Sequence, residues 1–535
     1  MLLGAVAFLV YCGWWVLIPT NIAWLDFGDR AMHQLGWMFY RAADWGIPPG
    51  RSPLLGIEIS NSIALVDGLP LFAIPFKVIA QWLPQPFQYW GYWLLLSFTL
   101  QSVFASRIAR ELGAGRIVAI LAAAFVLITP TYLFRVPMHL ALSGHWTILA
   151  ALFLYVRREP PRLWMWPLLI ALTCAIHATL LAMVLAVWAA ALLQRVWARR
   201  ARLVELVAEF GIAIVAALAV LWTVGFFGTG DYGSYGYGDY KLNILWPFID
   251  YGWSRLFPDL PHTKSDYEGL SFLGIGILAL LALAIVTGAI AKLRYAISRQ
   301  WLPLTLMLLA LMVFAFSKTF SILDHDLFTI PMPGFIEAIG SAFRSTGRFV
   351  WPLLYVVTIG AVVLVGGRFR AAIALPIILV AFAAQAWDSW PKVHEFANGM
   401  RTASSTWPSE LKSPLWERAV AAGYKRIRSI PPDEGFGSDW KDLGYFAVTH
   451  GMAIDIAYLG RVDGEDLHEL RVHGEYVLIT GEFEPKTIYI LDVRSSLRAA
   501  AHATKDDLIA VVDGRIVFLR GGNALADGLE RWTGD

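Results

Sequence analysis

Long apolar runs, broken at intervals by clusters of arginine, fill residues 1–388 and fix the solvent this chain needs before anything else about it is known. Eleven stretches approach the length a helix needs to cross a bilayer: 1–19, 87–106, 117–134, 139–156, 164–176, 178–194, 203–227, 270–291, 301–316, 350–366 and 371–387. The whole chain of 535 residues is 57% hydrophobic and only 16% charged, with a mean hydropathy of +0.57, which excludes a soluble enzyme of this size. The expected fold is a polytopic α-helical membrane protein of about eleven transmembrane helices, followed by a soluble α/β domain. The domain boundary is expected between residues 388 and 389. Residues 164–194 read as two short helices turning near His177, and residues 68–83 as an interfacial or re-entrant segment of the first outer loop.

Charge gives the arrangement a direction. Arg107, Arg110 and Arg116, then Arg157, Arg158 and Arg162, then Arg195, Arg199, Arg200 and Arg202, then Lys292, Arg294 and Arg299, then Arg368 and Arg370 fall on alternate short connections. The positive-inside rule makes those connections cytoplasmic, so the N-terminus is expected inside and the C-terminus outside. Residues 1–19 lack a basic leader and a small-x-small cleavage site and read as a retained helix. The long segments 20–86, 228–269, 317–349 and the tail then share the outer side, where binding and chemistry concentrate on loops. Tyr235 and Tyr237, in a glycine-rich stretch of the second of these, are either part of a mobile connector or rings for stacking a substrate.

The tail from residue 389 holds 22 acidic against 17 basic residues, so it is a mildly acidic unit appended to a basic membrane body. Helices are expected from Ser413-Pro414 to Gly423, from Ser438 to Gly451 and over 495–504. Strands are expected at 425–430, 453–459, 476–480 and 487–492, with a hairpin turned by Asp513-Gly514. Gly435-Phe436-Gly437 lacks the third glycine of a dinucleotide fingerprint. Cys12 and Cys174 both lie in apolar runs and offer no disulfide framework.

Candidate chemistry gathers on the outer loops. If the start of the first loop is helical, Asp26, Asp29 and His33 stand at i, i+3 and i+7 on one face, where a carboxylate can take a proton from a hydroxyl. The alternative is that Asp29 merely pairs with Arg30, Arg41 or Arg51. Asp67 sits in an apolar stretch, either as a used carboxylate or as an N-cap for a helix starting near Pro70. Arg135, His139 and His145 surround a tight outer turn, as hydrogen-bonding structural groups or as ligands. Arg344 and Arg348, one helical turn apart, suit a phosphate at headgroup height or an interfacial snorkelling role. Glu268 is a further outer-edge carboxylate, with capping as its plainer role. No His-x-x-x-His or recurring carboxylate spacing marks a metal site.

Together these features resemble the GT-C class of integral-membrane glycosyltransferases: a span, a large outer loop opening on an acidic motif, many further spans and a C-terminal outer domain. Gly28-Asp29-x-x-x-His33-x-x-Gly36-Trp37, Asp67-x-x-Pro70-Leu71, Pro86-Phe87-Gln88-Tyr89, residues 139–146 and Phe343-Arg344-x-x-Gly347-Arg348-Phe349 resemble, more narrowly, an uncharacterised bacterial membrane family related to that class. The resemblance implies a sugar donor carried on a polyprenyl phosphate, and a hydroxyl acceptor on a glycan, lipid or protein. It implies Asp29 as general base with Asp26 as its rival, Arg344, Arg348 and Arg135 on the donor phosphate, and an inverted product. His33, Asp67, His139, His145, Glu268, Tyr235 and Tyr237 would then line the substrate site. No cofactor is expected, a divalent metal stays open, and the partners are the bilayer and these substrates, with no nucleic acid. The place would be the bacterial inner membrane, with the tail in the periplasm. Competing readings are a transporter or flippase of lipid-linked saccharide, and a non-catalytic assembly factor for surface polysaccharide.

Overall fold

The computed structural model describes all residues except 60, 199–201, 228–235, 264, 292–297, 299, 433–439, 459–463 and 535. Tyr235, Arg199, Arg200, Lys292, Arg294, Arg299, Ser438 and the Gly435-Gly437 stretch therefore lie outside the described residues. The chain folds as two compact units: Met1–Trp24, Gln88–Val220 and Ser234–Ala403 form one, and Leu25–Phe87, Leu221–Gly233 and Ser404–Asp535 form the other.

The first unit is helical, and its span count corrects the expectation of about eleven. Among the described residues four helices are long and apolar enough to cross a membrane: Ala178–Trp197, Leu203–Thr223, Thr346–Arg368 and Ala371–Gly399. A fifth results if Arg116–Leu127 and Pro130–Met138, bent by 47°, are one broken span. Hydropathy detects apolar runs but not the breaks inside them. Thr129 is held extended ahead of Pro130, as residues before proline are, and the helix cannot run through it. Extended backbone at His139 and a one-turn 3-10 segment at Leu140–Ser143 shorten the next helix to Trp146–Val156. Leu2–Tyr11 stops at Cys12, followed by Gly13 at φ +78°. A helix of ten residues such as Leu2–Tyr11 or Met165–Cys174 reaches only about 15 Å, half of a hydrocarbon core. The turn at His177 does separate two helices, its Nδ1 accepting from the Thr179 amide at 3.0 Å as an N-cap.

At the other end the run expected at 371–387 continues to Gly399 as a 29-residue helix, so the expected boundary at 388/389 falls within a helix. Between the helices Leu302–Ala315 and Gly334–Phe343, a short hairpin pairs β1 (Thr319–Ile322) with β2 (His325–Thr329).

The second unit carries a six-stranded sheet of β3 (Arg426–Ile430), β4 (Ala453–Ile454), β5 (Thr487–Leu491), β6 (Leu508–Val512), β7 (Arg515–Leu519) and β8 (Glu530–Arg531), in the order β4-β3-β5-β7-β6-β8. β3 runs parallel to β4 and β5, while the β5–β7, β7–β6 and β6–β8 pairs are antiparallel. Asp513 (φ +49°) and Gly514 (φ +80°) turn β6 into β7, both in the left-handed region that a two-residue hairpin loop requires. Residues 476–480, expected as a strand, instead end the helix Gly464–Thr480. Their aromatic and β-branched content favours a strand locally, but Leu467, Leu470, Gly474, Val477 and Leu478 are buried at helical spacing, and Val477 and Leu478 join the core with Phe483, Tyr489 and Phe518.

The segment Leu25–Phe87 belongs to this same body. Its residue Leu55 bridges Ile454 at the sheet edge: the Gly56 amide donates to the Ile454 carbonyl at 2.8 Å and the Ile454 amide to the Leu54 carbonyl at 2.9 Å. The loop helix Gly28–Ala42 packs on Trp440–Thr449, where a Cβ at Gly444 would touch Leu35 at 3.2 Å. Arg428 on β3 donates to both Glu58 carboxylate oxygens, at 2.9 and 2.5 Å. Residues 68–83 hold only the nine-residue helix Pro70–Val78 and a 3-10 turn at Ala80–Trp82.

Candidate functional site

Two constellations collect the residues that the sequence singles out. The first is built in the helical unit around Glu268. A 3-10 turn at Asp266–Gly269 presents this carboxylate, and a second 3-10 turn at Thr346–Val350 presents Arg348. The two turns meet backbone to backbone: a Cβ at Gly347 would lie 2.8 Å from the Lys241 carbonyl and 2.9 Å from the Gly269 Cα, so only glycine fits. Arg348 then reaches Glu268 Oε2 through Nη2 at 2.7 Å and Nε at 2.9 Å.

Arg135, on Pro130–Met138, converges on the same oxygen through Nη1 at 2.8 Å and donates through Nη2 to the Glu268 carbonyl at 2.9 Å. Its guanidinium also lies 4.9 Å from the Phe134 ring centre and 5.4 Å from that of Trp351. Burial works against the Glu268 charge, but Arg135 and Arg348 outweigh it and hold the carboxyl at about 2. Two guanidiniums share one carboxylate, which leaves a buried excess of positive charge, and Arg135 Nε has no acceptor among the described residues.

Next to this cluster, His139 meets the His177 ring edge-on at 5.3 Å. His145 lies over Trp351 at 4.2 Å and hydrogen-bonds through Nδ1 to the Tyr355 hydroxyl at 2.5 Å, which accepts in turn from Gln101 at 2.9 Å. Gln101, Trp351 and Tyr355 were not singled out by sequence reasoning. The available signal was a glutamine and a tyrosine hydroxyl inside apolar helices, where polar groups need partners.

Arg344 and Arg348 are not one helical turn apart as expected. Arg344 ends the helix Gly334–Phe343 with φ +56°, and the chain between the two arginines is irregular and 3-10. The Arg344 guanidinium lies 5.0 Å from the Tyr240 ring centre and donates to its hydroxyl at 3.3 Å. Tyr237 is buried against Gly340, where a side chain would collide with its ring, and Lys318 Nζ stands 5.6 Å from the ring centre.

The second constellation lies in the other unit. Asp29 occupies the first turn of Gly28–Ala42, and His33 follows one turn later on the same face. Gly36, one turn further, lets this helix lie against the Asp67 segment: a Cβ there would run into the Val66 side chain. The result places the imidazole of His33 and the carboxylate of Asp67 within 4.8 Å of each other. Asp29 is half-buried and His33 is buried.

Asp67 does not cap the following helix, whose N-cap is Leu69 with no side-chain bond, and both residues have left-handed backbone, with φ +50° and +52°. Asp26 precedes the helix rather than sharing its face, and pairs with Lys441 at 2.8 Å. Arg41, one of the partners weighed for Asp29, donates to the carbonyls of Ala80, Leu83 and Pro84.

The geometry defines a helical, strongly apolar chain with a C-terminal mixed sheet and two clusters of buried or half-buried charge. Residues 1–390 match the family described as a domain of unknown function, DUF6311, and residues 415–520 match the DUF6311 C-terminal domain. The chain belongs to the DUF6311 family. No curated protein matches it.

Proposed function

We propose that the protein is a membrane glycosyltransferase of the GT-C type, moving a sugar from a polyprenyl-phosphate donor to a hydroxyl acceptor at the outer face of the bacterial inner membrane. The observation that carries the reading is the approach of His33 to Asp67 within 4.8 Å, with Asp29 one turn earlier on the His33 face. Asp29 removes the proton from the acceptor hydroxyl, and His33, with Asp67 against it, shares the charge and orients the site. The acceptor oxygen attacks the anomeric carbon, the bond from that carbon to the phosphate oxygen breaks, and polyprenyl phosphate leaves with the bonding electrons. The product is inverted.

Arg344 and Arg348 stabilise the departing phosphate. Supporting the role of Arg348 is the excess of two guanidiniums over one carboxylate at Glu268, with Arg135 as the second buried cation. Asp26 is the less available of the two because it is paired with Lys441. The test is the surface-glycan profile of cells in which the native gene is replaced by Asp29→Asn or Asp26→Asn at normal expression. Loss of glycan with the first and retention with the second is expected, and a full glycan with both overturns the proposal.

A further inference from the structure

The helical unit contains a second feature that the reading above does not use. A cleft of about 530 Å³ opens among Trp90–Glu111, Arg116–Leu127, Trp146–Val156, Leu302–Ala315 and the last turns of Trp351–Arg368. Its walls are aliphatic almost throughout, with residues such as Leu152, Leu308 and Ile359 facing it, and Thr305 is its one hydroxyl side chain. That hydroxyl is already satisfied by the Trp301 carbonyl at 3.1 Å. Most of the surface offered to a ligand is therefore apolar.

The width of the cleft comes from missing side chains. Gly360 on the long helix faces it, and a Cβ built there meets nothing within 4 Å. Glycine in a helix interior costs about 1 kcal/mol relative to alanine, so a glycine that opens space here is not explained by helix stability.

Its mouth is basic. Gly113, Ala114 and Gly115 line the cleft between Arg110 and Arg116, and Gly366 and Gly367 line it just before Arg368 and Arg370. Arg110, Arg116, Arg368 and Arg370 are exposed, and neither Arg116 nor Arg370 has an acidic partner among the described residues. Glu111 at the same rim is engaged by Arg158, whose amide donates to it at 3.2 Å.

We propose that this cleft is a binding site for an anionic phospholipid, one acyl chain lying along Gly360 and the phosphate headgroup held by Arg116 and Arg370. An aliphatic slot that opens on unpaired arginines complements a molecule with an apolar tail and an anionic head. The site shares with the proposed function only the premise that the helical unit sits in a bilayer, and it needs no glycosyl transfer.

The experiment uses the full chain purified in detergent, delipidated and titrated with dioleoyl phosphatidylglycerol, dioleoyl phosphatidylcholine or undecaprenyl phosphate, with bound lipid counted by native mass spectrometry. The expected result is one saturable phosphatidylglycerol, bound at least about 10-fold more tightly than phosphatidylcholine. Gly360→Leu, whose Cβ meets nothing within 4 Å and whose side chain extends into the slot, removes that lipid at unchanged melting temperature. Arg116→Gln with Arg370→Gln, both at exposed positions that do not threaten folding, abolishes the preference over phosphatidylcholine while leaving one lipid bound. Equal binding of both phospholipids by the wild type, or saturable phosphatidylglycerol surviving in Gly360→Leu, overturns the proposal. Tighter binding of undecaprenyl phosphate than of phosphatidylglycerol also overturns it, because the slot then belongs to an isoprenoid. Glycan loss in the Asp29→Asn strain bears on none of these outcomes, so the two readings fail separately.

Discussion

Nη2 of Arg348 lies 2.7 Å from Oε2 of Glu268, and Arg135 closes on the same oxygen from the other side at 2.8 Å. Removing the carboxylate leaves two buried guanidiniums side by side without the counter-charge they share. Glu268→Gln is therefore expected to lower stability by about 3–5 kcal/mol, the usual result of breaking a buried ion cluster by deleting one member. The melting temperature of the purified chain, wild type against variant, measures this.

The same carboxylate sets an acid limit. Its folded value of about 2 lies below the ordinary 4.5, so the stabilisation it brings is present in full above pH 4.5 and is lost as pH falls toward 2. Thermal scans between pH 6 and 3 should show a steeper fall in the wild type than in Glu268→Gln, which has no group left to protonate.

Asp455 behaves in the opposite sense. It is fully buried 3.5 Å from Arg428, and burial pushes its carboxyl up to about 7, since Arg428 also serves Glu58 and Glu484 at 2.5 and 3.1 Å. A folded value above the ordinary 3.8 means that the folded state holds the proton more tightly than the unfolded one. Stability then falls as pH rises from about 4 to about 7 and is flat beyond. Asp455→Asn should remove that slope and melt higher than the wild type at pH 8. Its oxygen can still accept from the Ser429 amide, a bond of 2.9 Å in the native protein.

Gly347 offers a test of how Arg348 is delivered. Gly347→Ala forces the added carbon against backbone at Lys241 and Gly269, where no flexible side chain can yield. A loss of about 1–3 kcal/mol is expected from such overpacking, together with reduced glycan at temperatures where the protein remains folded. Lys441→Ala is the contrasting control. It breaks a pair whose lysine is about one-third exposed, so a change of at most about 1 kcal/mol and an intact glycan are expected.

How much of this was legible in the sequence follows from which contacts are local. The Asp513-Gly514 hairpin and the turn at His177 rest on residues adjacent in the chain, and their identity encodes them. Span count was not legible, because Thr129-Pro130 and the irregular backbone at His139 interrupt stretches that remain apolar throughout. The union of the first loop with the tail was hidden for a different reason. The bridge between Leu55 and Ile454 and the ion pair between Glu58 and Arg428 join residues hundreds of positions apart, by backbone groups that every residue carries and by charges with many alternative partners. Glu268 was visible as a carboxylate; its capture by Arg135 and Arg348 was not, since it depends on two turns meeting at Gly347.

The central claim, that Asp29 is the base of a glycosyl transfer, is tested most directly by donor turnover. Membranes holding wild type, Asp29→Asn or Asp67→Asn at equal abundance are incubated with the polyprenyl-phosphate-linked sugars extracted from the same cells, and free polyprenyl phosphate is quantified over time. The wild type should release it, Asp29→Asn should be slower by about 100-fold or more, as expected for loss of a general base, and Asp67→Asn should be impaired to a smaller degree. Release at the wild-type rate by Asp29→Asn, or no release above empty membranes by the wild type, would contradict the account.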